Sequence, residues 1–205
     1  MDSPIDRLQD QLLTAARLAQ VHTFGWPVGV VLDRDEVRPK PTNEGIVADV
    51  KASWFTGGKM YDYWILTRKG DFYTLFSLFE DDKEEGVLYF DTQVVRTTEA
   101  LLHCGNLYRA LGADSKASIQ LRMSYGGLRG RRLKGAGNRR ILEAVNEHED
   151  EVQSEVMFRL DELDATITKL VMDLCSPLFM LFDFFNLPQS AYEGVVTDFL
   201  AGRVT

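Results

Sequence analysis

The chain has 205 residues, 45% hydrophobic and 26% charged, with a formal net charge of −8 at pH 7. This balance belongs to an ordinary folded protein, and the acidic excess argues against a wholly basic nucleic-acid binder. The richest apolar run, Leu178–Phe185, contains Asp183 and falls far short of the ~20 residues of a membrane span.

The N-terminus lacks the basic-then-apolar pattern of a secretory leader, so a cytoplasmic location and no membrane partner are expected. Ser3-Pro4-Ile5-Asp6 reads as a helix start, with Ser3 as cap and Pro4 at the first helical position. Ile5, Leu8, Leu12, Ala15 and Ala19 continue one apolar stripe, and the helix is expected to run to about Val21. This 1–22 segment would pack on a sheet or serve as a linker or interaction helix. A loop follows, then a short apolar strand over Val28–Leu32. Asp33–Gly45 carries Pro39 and Pro41 and cannot be a central strand. Ile46–Val50 reads as a strand, and Ser53–Lys59 as a turn region with Gly57-Gly58.

Tyr61–Thr67 is aromatic and β-branched, which predicts a strand. Arg68-Lys69-Gly70-Asp71 supplies a tight turn, and Phe72–Phe79 a second strand apolar on both faces, expected in the middle of a covered sheet. Glu80–Gly86 reads as a solvated acidic tip and Val87–Phe90 as a third strand. A helix follows, capped by Asp91 or Thr92 and closed by Gly112, with Val94, Leu101, Cys104, Tyr108 and Leu111 inward and Arg96, Glu99 and Arg109 near its polar side. Thr98 and His103 fit neither side. Ser118–Tyr125 alternates as a half-exposed strand. Ile141–Val145 and Val152–Phe158 could pair as strands around His148-Glu149-Asp150, with a helix over 139–159 as the alternative. From Asp161 the period is helical, through Leu163, Ile167, Leu170 and Leu174, with Pro177 ending or kinking the helix. Leu178–Phe185 reads as buried, and Gln189–Leu200 as a last helix with Tyr192, Val195, Val196 and Phe199 inward. The expected fold is a single α+β domain, with a mostly antiparallel mixed sheet of about five to seven strands packed against several helices.

Three constellations bear on chemistry. Leu121–Arg140 holds Arg122, Arg129, Arg131, Arg132, Lys134, Arg139 and Arg140 with no acidic residue, interleaved with glycines. Arginine forks match phosphate oxygens and glycine lets amides approach an anion, so nucleic acid or nucleotide phosphate is the natural ligand. The alternative is a solvated hairpin whose arginines pair with carboxylates. No phosphate-loop or dinucleotide fingerprint accompanies it. Asp33, Asp35, Asp49 and Lys51 have the residue types of a metal-dependent nuclease, although a polar loop and strand end explain them as well. His103 and Cys104, adjacent on a helix, point about 100° apart and form no dyad. The three histidines are scattered, and Cys104 and Cys175 read as buried free thiols. No catalytic set, metal site or cofactor is therefore expected.

The segments FGWPVGVVLDRDEVRPKPTNEGIVADV, DYWILTRKGDFYTLFSLFED, FDTQVVRTTEALLHCGNLYRALG and GGLRGRRL resemble the C-terminal region of prokaryotic proteins that begin with a Schlafen/AlbA-like putative DNA-binding domain. Those proteins are usually described as ATP-binding, helix-turn-helix or transcriptional-regulator-like. The resemblance runs from about Phe24 to Phe199. It implies a non-catalytic accessory or regulatory module of a nucleic-acid-associated bacterial system, in transcription regulation or defence. It supplies no activity residue by residue, and the upstream DNA- and ATP-binding functions do not transfer. The other readings are a nuclease using Asp49 and Lys51, and a protein-interaction or homo-oligomerisation scaffold using the N-terminal helix or the Phe179–Phe185 run.

Overall fold

A computed structural model describes residues 8–21, 26–51, 60–135 and 144–203. The Ser3 helix start, most of the His22–Pro27 loop, the Ser53–Lys59 turn, Ile141–Glu143 and Arg139–Arg140 lie outside those residues. The chain is α+β, as the patterning predicts, with its described strands in three sheets of four, three and two strands. It forms two compact units, Met1–Asp82 with Leu102–Asp114, and Lys83–Leu101 with Ser115–Thr205.

In the first unit, α1 (Gln9–Ala19) lies under an antiparallel sheet. The sheet is ordered β1 (Lys40–Pro41), β2 (Gly45–Lys51), β3 (Tyr61–Thr67), β4 (Phe72–Phe76). Pro41 sits in an edge strand, where its missing N–H costs nothing. Period-two alternation puts Ile46, Ala48, Val50, Trp64 and Leu66 on the face that packs with Leu12, Ala15, Ala16 and Ala19. Val28–Leu32 is not a strand. Gly29 turns there at φ +63°, and the Val30 carbonyl accepts the buried Trp64 indole N–H at 2.8 Å.

The β3–β4 hairpin turns at Gly70 with φ +98°, as expected, but β4 ends at Phe76 and lies at the sheet edge rather than in its middle. A 3-10 turn, Phe79–Asp82, follows, and in it Glu80 is fully buried rather than solvated.

A 21-residue helix, α2 (Phe90–Ala110), spans both units. Its C-terminal half lends Leu107 to the first core. Gly112 follows it at φ +74°. Arg96 and Glu99, expected on a polar side, are buried and paired at 2.8 Å.

In the second unit, β5 (Val87–Tyr89) pairs in parallel with β7 (Arg132–Lys134), which pairs antiparallel with β8 (Ala144–Val145). The long ladder joins β6 (Ser118–Tyr125) to β9 (Val152–Arg159). Residues 144–145 and 152–159 are therefore strands rather than helix, but they pair with β7 and β6, not with each other. The inward face of β9 packs on α3 (Leu163–Met180), which carries Pro177 inside its last turn and continues past it. A turn over Asp183 and Phe184 leads to α4 (Gln189–Leu200), which buries Tyr192, Val196 and Phe199. Phe90, Phe179, Phe185 and Tyr192 form a ring cluster at centroid separations of 5.9–6.5 Å.

One buried group ties the first unit to pH. His103 of α2 is almost completely buried, packs tilted against Phe72 with ring centroids 4.9 Å apart, and neither ring nitrogen has a hydrogen-bond partner among the described residues. A Cβ on Gly29 would lie 2.7 Å from His103 Nε2, so only glycine fits there. Burial pushes the imidazole down from 6.5 to about 4. The folded state therefore holds His103 neutral while the unfolded chain protonates it. Its contribution is complete above pH 6.5 and is lost as pH falls toward 4. Urea unfolding should show about 2 kcal/mol of lost stability between pH 7 and pH 5 from this group. His103→Leu should remove that part of the pH slope. An unchanged slope in the variant would refute the assignment.

Candidate functional site

The arginine-rich run is divided over distinct local settings. Arg122 lies on the outward face of β6, and its Nε and Nη2 donate to Glu155 Oε2 on β9 at 2.9 and 2.7 Å. Arg132 and Lys134 lie on β7 and converge on Glu84, with Nη2 at 3.4 Å and Nζ at 2.8 Å. The Tyr89 hydroxyl donates to the same carboxylate at 3.1 Å. These donors, the lysine foremost, hold the Glu84 carboxyl below its usual range. Arg129 and Arg131 sit in the turn between β6 and β7, where their Nε atoms donate to the carbonyls of His148 and Gly127 at 3.1 and 2.7 Å.

The glycines of that turn do not leave an open cradle of amides. Leu128 N–H donates to the Asp150 carbonyl, Arg129 N–H to Asp150 Oδ1, Gly130 N–H to the Asn146 carbonyl, Arg131 N–H to the Leu128 carbonyl and Arg132 N–H to the Gly86 carbonyl. Every amide from 128 to 132 is thus committed within the protein. The carboxylate of Asp150 is itself the acceptor for the Arg129 amide.

Asn146 organises this arrangement, although no charge or motif in the sequence singles it out. It is buried, its Nδ2 donates to the Leu128 and Glu149 carbonyls, and its Oδ1 accepts from the amides of His148 and Glu149. Its signal in sequence is only an asparagine between a β-branched strand end and a charged turn, where a side chain that can both donate and accept is useful.

The acidic constellation stays in separate pairs. Asp33 Oδ1 accepts from Arg17 at 2.6 Å and Asp35 Oδ1 from Arg38 at 3.0 Å. Asp49 and Lys51 lie on the outward face of β2. Among the described residues no group of three or more His, Cys, Asp or Glu is placed to hold a metal ion. Both cysteines are free, and burial pushes each thiol up to about 12, far from a reactive thiolate. Of the Phe179–Phe185 run, Phe179 and Phe182 are core while Phe184 is exposed.

The surface that the sequence placed wrongly is β4. Tyr73, Leu75 and Phe76 are 55%, 51% and 36% exposed. The register continues the outward face inward across the sheet, with Tyr73 beside Ile65 and Val47, and Leu75 beside Tyr63 and Asp49. Tyr63 and Tyr73 meet edge to face at 6.4 Å. The outward face is therefore apolar and aromatic, with Asp49 and Lys51 as its charges on β2. No helix of the described residues is long and apolar enough to cross a membrane. Comparison with protein-family models, curated proteins and solved structures gives no match.

Asn146→Ala would remove four hydrogen bonds, the one to the Leu128 carbonyl buried and the other three part-buried. It should cost about 2–4 kcal/mol of unfolding free energy in a denaturant titration. A change within experimental error would refute the organising role of Asn146.

Proposed function

We propose that this chain is a non-catalytic protein-interaction module that works through the outward face and open edge of its four-stranded sheet. The observation that carries this reading is β4, an edge strand without charge, glycine or proline whose Tyr73, Leu75 and Phe76 face solvent. Folded proteins normally blunt such an edge with lysine, proline, a bulge or a covering segment. Tyr73 and Leu75 share the outward face and Phe76 lies on the other, and exposed apolar side chains along an open edge mark a contact site more often than a defect.

A phosphate-contacting role for the arginine segment is the second reading. It is supported by Arg129, an exposed guanidinium in no ion pair among the described residues, and by the resemblance to Schlafen/AlbA-associated proteins of nucleic-acid systems. Two observations favour the first reading over it. The amides from Leu128 to Arg132 are taken within the protein, by Asp150, Asn146, Leu128 and Gly86. A polyanion stacking on the tyrosines of the sheet would also meet Asp49.

The discriminating experiment is a binding titration with short single- and double-stranded DNA and RNA at two salt concentrations. The native chain is compared with Arg129→Ala/Arg131→Ala. We expect no binding at micromolar protein with either chain. Binding that falls steeply with salt and disappears in the variant would overturn the protein-interaction reading in favour of phosphate contact.

A further inference from the structure

The partner of the open edge can be read from the strand itself. We infer that a second copy of this chain pairs with it, β4 against β4 in antiparallel register about a two-fold axis at Thr74. This deepens the interaction-module reading and rests on it.

The hydrogen-bond parity of the hairpin decides which groups face outward. Thr67 N–H donates to the Asp71 carbonyl and Ser77 N–H to the Tyr61 carbonyl. With the observed register, Tyr73 and Leu75 also turn their backbone groups toward β3. Phe72, Thr74 and Phe76 turn theirs to the free edge, where no described strand pairs with them. Three residues at alternate positions are what one further antiparallel strand requires, and a copy of β4 supplies the matching three. About six ladder hydrogen bonds would form.

The side chains then decide for self-pairing over an arbitrary strand. Residues 72–76 read Phe-Tyr-Thr-Leu-Phe, which is apolar at both ends and symmetric about Thr74 in character. Reversal about Thr74 places Phe72 opposite the partner's Phe76 and Tyr73 opposite the partner's Leu75. Each is an aromatic–aromatic or aromatic–aliphatic pair, the kind that stabilises antiparallel ladders. The exposed area of Tyr73, Leu75 and Phe76 would be covered by their own counterparts. Thr74 lies on the axis, opposite its own counterpart, so the centre of the ladder carries no charge. No like charges oppose one another, since Asp71 falls opposite the partner's Ser77. Such an isologous contact closes on itself as a dimer. It joins two four-stranded sheets into one.

The test is the mass of the full chain by sedimentation equilibrium across micromolar concentrations. A rise to twice the chain mass supports the inference when Leu75→Lys, folded by circular dichroism, stays at the chain mass. A dimer that persists unchanged in Leu75→Lys would use another surface and would overturn it. Register is tested independently by cross-linking. Tyr73 and the partner's Leu75 form a non-hydrogen-bonded pair with Cα atoms about 4.5 Å apart, inside the disulfide range of about 4.4–6.8 Å. Tyr73→Cys/Leu75→Cys should therefore give a reducible dimer on oxidation, and neither single variant should. Equal cross-linking in the single variants overturns the register. A native chain that remains at its own mass and binds no nucleic acid overturns self-pairing alone. One that remains at its own mass and binds nucleic acid through Arg129 and Arg131 overturns the interaction-module reading as well.

Discussion

A helix buried around its whole circumference must satisfy its own polar groups, and that constraint governs α2. Thr92 through Glu99 are all buried, which is incompatible with a polar stripe turned to water. The helix meets the requirement locally. Arg96 and Glu99 pair at 2.8 Å one turn apart, and the Thr98 hydroxyl donates to the Val94 carbonyl at 2.8 Å. The Cys175 thiol donates to Thr97 Oγ1 at 3.2 Å. Removing either member of a buried ion pair leaves the other charge desolvated, typically at about 3–5 kcal/mol. The polar content of α2 from Thr92 to Glu99 is therefore a structural commitment.

This is also where sequence reasoning loses its grip. Helical periodicity located α2 to within a residue or so, because spacing and a C′ glycine act through the local chain. Charge reads as a sign of solvent and puts Arg96 and Glu99 outside, whereas both are buried. Two opposite charges three apart on a helix can neutralise one another, so their sum carries little information about exposure. Thr98 fits neither side because the helix has no polar side from Thr92 to Glu99, and His103 because it is a polar ring buried against Phe72.

The hairpin shows the complementary limit. Its two strands and the Gly70 turn were legible from β-branched and aromatic content together with one glycine. The position of β4 in the sheet was not. A strand apolar on both faces is the mark of a sheet interior, but the same pattern describes an edge strand awaiting a partner. Sequence periodicity reports which residues avoid water and is silent on which molecule excludes it. The Arg122–Arg140 run was legible as a charge cluster, yet the carboxylates that answer it, Glu84, Asp150 and Glu155, come from positions up to about fifty residues away in the chain, a separation that local patterning does not see.

The two surfaces thus differ in what they still need. The arginine turn has internal partners for its amides, the Asp150 carboxylate among them, and Asn146 bonded to both Leu128 and the 148–149 turn. An external ligand there would have to displace bonds already made, at the cost of the groups it uncovers. The edge of β4 has the opposite character, because its outward backbone groups meet no strand of the described chain and its apolar side chains meet water. A contact there would cover apolar surface and complete a ladder without breaking any bond identified in the folded chain. When one surface is satisfied and the other is not, the unsatisfied one is where association lowers the free energy, and that ordering assigns interaction to the sheet edge and structure to the arginines.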